Sequence, residues 1–358
     1  MAVAGAGAFG RNHLRVYREL ETAGAGVALA AAIEADPARA AEVAEKYAIP
    51  VFSSADALLS ADLGIQAASV AVPTVHHHSV AMALLEGGLD LLVEKPLAAS
   101  LAQADEIVAL AEHRNRVVQV GHLERFNPAI VAVEPRLRRP MFFEAHRLSI
   151  FTPRALDVDV VLDLMIHDLD IVLRFANSEV REVRAVGLPI LSPNVDIANV
   201  RVEFESGCVA NFTASRVSTE RVRKLRFFEP RQYVSIDYAR QDLLIIGVDQ
   251  ALPPQVAAAL ASGLLDAAAL AKLAAAHHAS GPEAALGPGL SFSKFDVTPG
   301  EPLKLELGSF VNAVRTRCQP RVTARQGRAA LALALSIQDS MAAHADRAGL
   351  RDFFRAGL

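Results

Sequence analysis

The sequence predicts an α/β domain built on a parallel sheet, followed by an α+β domain on a mostly antiparallel open sheet with helices on one face. Three observations lead there. Up to about residue 120, short apolar runs alternate with helical stretches, the pattern of strands joined by crossover helices. After Asn127-Pro128 several strand-like runs follow one another without intervening helices. At 358 residues the chain is long for a single core, so a boundary is expected between residues 121 and 122.

Taken in order, Met1–Ala4 reads as a short first strand and Gly5-Ala6-Gly7-Ala8-Phe9-Gly10 as a GxGxxG turn opening a helix near Arg11. The first glycine makes a tight turn, the second admits a pyrophosphate, the third allows close helix–strand packing, and the helix N-terminus attracts the anion. The strand Val27–Ile33 ends in Glu34, 24 residues after Gly10, where a carboxylate takes a ribose hydroxyl and repels a 2′-phosphate. This is the fingerprint of a Rossmann dinucleotide-binding domain, with NAD favoured over NADP. Only four residues precede Gly5, fewer than the ~5–6 of a buried central strand, so the first strand is expected to be short.

Helices are expected at Pro37–Tyr47, His76–Gly87 and Leu101–Arg114, and strands at Ile65–Val72, Leu89–Val93 and Val117–Val120. The Leu89–Val93 strand runs into Glu94-Lys95-Pro96. In an open parallel sheet the carboxyl ends of the strands face the ligand crevice, so Lys95 is a candidate for the place where cofactor and substrate meet; an ordinary ion pair with Glu94 is the other reading.

In the second half an apolar helix over about 158–176 carries Asp163, His167 and Asp170, which fall on one face at ~3.6 residues per turn. Burying such groups is costly unless each is paired or used, so the stripe reads either as a site or as a polar seam between helices. Strands are expected at Val200–Phe204, Val209–Ser215, Leu225–Phe228, Tyr233–Tyr238 and Leu243–Gly247. Residues 250–300 read as an insertion: an Ala-rich helix at Gln255–His278, then a Gly/Pro-rich, lid-like excursion to Gly300. Helices at Leu303–Thr316 and Ala324–Ala345 close the chain.

Hydrophobic residues make up 52% and charged residues 21%, the balance of an ordinary globular protein. A net charge of −4 with scattered basic residues argues against nucleic acid as a partner. Cys208 and Cys318 match neither a zinc pattern nor a disulfide framework. No run has the ~18 apolar residues of a membrane span, and the nucleotide motif stands where a signal peptide would. A cytoplasmic protein without membrane contact is expected.

With these motifs together, the chain resembles the glucose–fructose oxidoreductase, inositol dehydrogenase and rhizopine catabolism (Gfo/Idh/MocA) family over nearly its whole length. The resemblance rests on Gly5–Gly10, Glu94-Lys95-Pro96, and Asp163 with His167 as an Asp-x-x-x-His helix. Val72-Pro73-Thr74-Val75-His76-His77 looks like the family's loop beside the cofactor, implying contacts from Pro73, Thr74 and His77, and the Glu-Lys-Pro likeness implies contacts from Glu94 and Lys95. Glu301-Pro302-Leu303 and Pro320-Arg321-Val322-Thr323 also look like family segments, with Ala324 where a glycine is usual. Val120 to Pro128, with Arg147-Leu148-Ser149 and Asp157-Val158-Asp159-Val160, looks most like the members that oxidise the C3 hydroxyl of UDP-N-acetylglucosamine. That likeness implies a nucleotide-sugar substrate met by His122 and Asn127 among others, a ketone product passed to an aminotransferase for lipid A, and a homodimer or homotetramer.

The chemistry expected is hydride transfer from a sugar carbon to NAD. An imidazole, with an unperturbed pKa near 6.5, suits the general base, so His167 takes that role. Asp163 holds the ring or a neighbouring hydroxyl, Asp170 orients, and Lys95 stabilises negative charge on the oxygen. A diphosphate calls for cations, and Arg125, Arg147, Arg154 and Arg216 are the candidates, although an arginine's ordinary place is the surface. Asp163, His167 and Asp170 could bind a divalent ion, but no metal is expected because a lysine already serves. A silent NAD-binding sensor of the same fold is the reading from another class.

Overall fold

The computed structural model describes residues 1–152, 158–248, 283–285 and 290–350. The chain divides into two compact units, residues 1–126 with 300–335 and residues 127–299 with 336–358.

The first unit holds a six-stranded parallel sheet. Its strands are β1 (Ala2–Ala4), β2 (Ala31–Ile33), β3 (Val51–Phe52), β4 (Ala67–Val70), β5 (Asp90–Glu94) and β6 (Val118–Gly121), in the spatial order β3-β2-β1-β4-β5-β6. Between them run α1 (Gly10–Thr22), α2 (Pro37–Tyr47), α3 (Ala55–Ser60), α4 (His77–Glu86) and α5 (Leu101–His113). Asp36 caps α2 by accepting from the Arg39 N–H at 2.8 Å, and Pro37 supplies the ready-made first-turn φ. β4 and β5 are buried along their whole length, as strands covered on both faces must be. The run expected from Val27 enters the ladder only at Ala31, because its neighbour β1 offers just Ala2, Val3 and Ala4 as partners. β3 and α3 escaped the periodicity reading because they are too short to show one.

A late helix, α8 (Pro302–Thr316), completes this unit. Its Leu303, Leu307, Phe310 and Val311 share one core with Leu14, Tyr17 and Leu20 of α1. The edge of β6 is closed by the returning chain, Val120 N–H donating to the Val322 carbonyl at 3.0 Å.

Among the described residues, the second unit holds a nine-stranded sheet. Its strands are β7 (Phe142–Leu148), β8 (Val180–Leu188), β9 (Ile197–Phe204), β10 (Val209–Ser215), β11 (Val222–Glu229), β12 (Gln232–Asp237), β13 (Asp242–Val248), β14 (Glu283–Ala285) and β15 (Leu290–Phe295). Among the described residues, every pairing in it is antiparallel except β7 with β10. Two short elements, α6 (Pro128–Val133) and then α7 (Ile166–Ala176), belong to this unit, and α9 (Ala324–Arg347) ends the described chain. The excursion expected up to Gly300 is corrected in part: Leu290–Phe295 extends the sheet beside β13, its Leu290 and Phe292 alternating with serines. The helix expected at Gln255–His278 lies outside the described residues.

Candidate active site

The three glycines of the first turn differ in what surrounds them. A Cβ on Gly5, whose φ is +91°, would lie 2.7 Å from the Ala71 carbonyl oxygen, and one on Gly10 would lie 1.9 Å from the Gly5 oxygen. A Cβ on Gly7 would meet nothing within 4 Å. The chain's own packing therefore demands Gly5 and Gly10, whereas the space at Gly7 suits a group from outside, and the α1 N-terminus beside it suits an anion. Ala8 and Phe9 are exposed there.

Glu34, at the end of β2, is mostly buried and closes on this turn. One of its oxygens accepts from the Ala6 N–H at 2.9 Å; the other accepts from the Asp36 N–H at 2.9 Å and from the Arg39 guanidinium at 3.2 Å. Burial alone would raise this carboxyl, but the two amides and the guanidinium outweigh it and hold the pKa below the ordinary glutamate value.

Beyond β4, Thr74–His76 form a single 3-10 turn with Pro73 exposed at its start. His77 is buried, with Nδ1 2.8 Å from the Pro96 carbonyl and Nε2 2.9 Å from that of Val72. Burial lowers its pKa and prevails over the two carbonyls, which favour the charged form. His77 thus ties the loop after β4 to the loop after β5.

Glu94 ends β5 and Lys95 follows it, and the Lys95–Pro96 bond is cis. Glu94 accepts from the Lys95 N–H at 3.3 Å and lies 3.0 Å from His13 Nε2. Sequence alone gives His13 no role; the signal it carries is its position on the buried face of an amphipathic helix. His122, Arg125 and Asn127 follow β6 and are all buried, and the Arg125 carbonyl accepts from Arg321 at 2.9 Å. The Asn127 side chain caps α6 by accepting from the Ala129 N–H at 3.1 Å and donates to the Tyr238 carbonyl at 3.0 Å.

In the second unit the expected helix is not uniform. Val161–Met165 form a π-helical turn before α7 begins, and this wider turn displaces the simple 3.6-residue face. Asp163 and His167 are half-buried while Asp168 and Asp170 are buried, so Asp170 does not share the exposure of the other two. Asp168, to which sequence alone assigns no role, receives a bidentate fork from Arg147 on β7, at 2.7 and 3.0 Å. The Arg147 guanidinium also sits 5.0 Å from the Tyr238 ring centre.

Arg216 is buried as well, donating to the Val158 carbonyl at 2.5 Å with Nε 3.6 Å from Asp196. Burial pushes the Asp196 carboxyl up, yet the Ser192 hydroxyl and the amides of Leu191, Ile190 and Ser192 hold it below its ordinary value. Arg125, Arg147 and Arg216 therefore depart from the ordinary surface placement of arginine, and Arg154 lies outside the described residues. No group of three or more metal-ligating side chains converges among the described residues, and no described helix is long and apolar enough to cross a membrane.

Comparison with known proteins agrees with this architecture. Residues 1–122 match the oxidoreductase family with an NAD-binding Rossmann fold, and residues 129–231 match the GFO/IDH/MocA C-terminal domain. The chain is 31% identical over 346 residues to UDP-N-acetylglucosamine 3-dehydrogenase of Acidithiobacillus ferrooxidans, covering 96% of this chain and 98% of that protein. A solved structure of the same enzyme superposes with a TM-score of 0.79 at 31% identity, over 96% of this chain and 97% of that one. Inositol 2-dehydrogenase of Acidothermus cellulolyticus is 32% identical over 190 residues, 51% of this chain and 54% of that protein.

Proposed function

Because the chain belongs to the Gfo/Idh/MocA family of NAD-binding oxidoreductases, we propose that it oxidises a nucleotide-sugar hydroxyl to a ketone, at C3 of UDP-N-acetylglucosamine. The observation that carries this substrate is the 31% identity, spread over 96% of the chain, to an enzyme of that name. The half-length likeness to an inositol 2-dehydrogenase favours a cyclitol as the second reading.

NAD fits the residues present: the open space at Gly7 and the α1 N-terminus receive the pyrophosphate, and Glu34 receives a ribose hydroxyl. When bound, NAD supplies the acceptor for the hydride that leaves the sugar carbon. His167 removes the hydroxyl proton, and Asp163, one turn earlier, holds its ring. Lys95 donates to the same oxygen and offsets the negative charge that grows there. Pro73, Thr74 and His77 border the cofactor, while His122 and Asn127 border the sugar. Arg125, Arg147, Arg154 and Arg216 supply positive charge for the diphosphate, with Arg147 and Arg216 held in place by Asp168 and Asp196. We place the reaction in the cytoplasm, in a homodimer or homotetramer, supplying an aminotransferase that converts the ketone to an amine for lipid A.

The test is to follow NADH absorbance with NAD and a panel of UDP-N-acetylglucosamine, UDP-N-acetylglucosaminuronate and myo-inositol. Turnover is expected on the first, falling roughly 100- to 10,000-fold in His167→Ala. Turnover on myo-inositol alone would establish the second reading, and a fully active His167→Ala would remove the base.

A further inference from the structure

We infer that His13 is a positioning residue for Lys95, acting through Glu94; the inference rests on the role given to Lys95 above. His13 stands three residues beyond Gly10, in the first turn of the helix that meets the nucleotide, and its side chain is wholly buried. The Phe9 ring packs edge-on against it at 5.4 Å. Its Nε2 lies 3.0 Å from Glu94 Oε1, and the other oxygen of that carboxylate accepts the main-chain N–H of Lys95 at 3.3 Å. Both oxygens are thereby held, one from α1 and one from the chain carrying the lysine.

The slot for this carboxylate is built from a third side. A Cβ on Gly121, at the end of β6, would lie 2.7 Å from Glu94 Oε1 and 2.8 Å from Oε2, so only glycine lets the carboxylate sit there. One turn along α1, Tyr17 shares a 2.7 Å hydrogen bond with Ser69 of β4. The helix is thus docked on the sheet by two polar contacts, and the one nearer the nucleotide turn ends at Lys95.

The two ring nitrogens of His13 have different surroundings. Nε2 is the ring nitrogen that faces Glu94, and an N–H there donates to the carboxylate, while Nδ1 is buried as an acceptor without a hydrogen-bond partner. An apolar side chain would fill the space without that desolvated acceptor. What it would not do is hold the carboxylate, and a displacement of about 1 Å at a reacting group costs on the order of 100-fold in rate.

The six lysines make this measurable without a substrate. In protein reductively methylated with 13C, the Lys95 signal, identified by its absence in Lys95→Arg, is expected to shift in His13→Leu. It should return in His13→Gln, whose amide nitrogen reaches as far as Nε2, while the other lysine signals stay in place. Turnover should fall about 10-fold or more in His13→Leu with the KM for NAD little changed, and recover in His13→Gln. An unmoved Lys95 signal, or all the lysine signals moving together, would overturn the inference. If His13→Leu fails to fold, His13→Asn, too short to reach Glu94, serves the same comparison. Full turnover in Lys95→Met would instead remove the role of the lysine while leaving the coupling between His13 and its signal standing.

Discussion

Arg147 grips Asp168 with two parallel hydrogen bonds, 2.7 Å from Nε and 3.0 Å from Nη2, and the side chains are only 4% and 3% exposed. Asp168 is the residue after His167, so this fork fixes the helix that presents the imidazole. Removing one partner strands the other as a buried charge, which costs about 3–5 kcal/mol. Asp168→Ala and Arg147→Ala should each lose that much in denaturant unfolding, and the pair Arg147→Met with Asp168→Leu should recover most of it. Additive losses in the double variant would show that the fork is not the source of the stability.

The nucleotide turn separates packing from binding. Gly10→Ala, with a Cβ 1.9 Å from a carbonyl oxygen, should leave little folded protein. Gly7→Ala should melt at nearly the parental temperature yet lose the rise that NADH gives the parent. Thermal melts with and without NADH report both effects, and an unchanged NADH shift in Gly7→Ala would mean that this space is not the pyrophosphate's.

The proposed ribose contact of Glu34, whose carboxylate accepts from Arg39 at 3.2 Å, is tested by the choice of cofactor. Glu34→Ser removes the charge that repels a 2′-phosphate and frees a guanidinium to meet it. The ratio of kcat/KM for NADP to that for NAD should rise by about 10-fold or more, in line with about 1.4 kcal/mol per factor of ten. An unchanged ratio would place cofactor discrimination elsewhere.

His77 makes the first unit sensitive to mild acid. Its pKa is lowered in the folded chain, so the unfolded chain takes up the proton first, near pH 6.5. The stability linked to His77 is therefore complete above about pH 6.5 and is lost as the pH falls from there through the lowered native value. Unfolding free energies measured from pH 5 to 8 should slope downward toward acid in the parent, and the slope should flatten in His77→Asn. Parallel curves for the two proteins would exclude His77 as the cause.

Periodicity and turn chemistry carried the reading of the first unit furthest. The Pro37–Tyr47 helix is marked by Asp36 and Pro37, and the buried strand β5 shows its apolar centre, Leu91-Leu92-Val93, between Asp90 and Glu94. Periodicity does not reveal β7 or β8, because β7 mixes Glu144, His146 and Arg147 with its aromatics, and in β8 the charged Arg181, Glu182 and Arg184 are exposed. Candidate residues were legible by type but their partners were not. Nothing local in the chain says that Asp168 faces Arg147, 21 residues away, or that His13 meets Glu94 across 81 residues. Such pairs arise only when separate elements fold together, and the π-helical turn before α7 further displaced the helical face drawn at uniform pitch.

The place of α8 has a consequence for how this protein comes into being. Phe310 and Leu307 are wholly buried among side chains from the first twenty residues, and Val322 closes the edge of β6. During synthesis the N-terminal layer must wait, with that apolar patch bare, while the whole intervening polypeptide emerges from the ribosome. A fragment ending at Phe126 should accordingly aggregate, and supplying residues 300–335 as a separate peptide should keep it in solution.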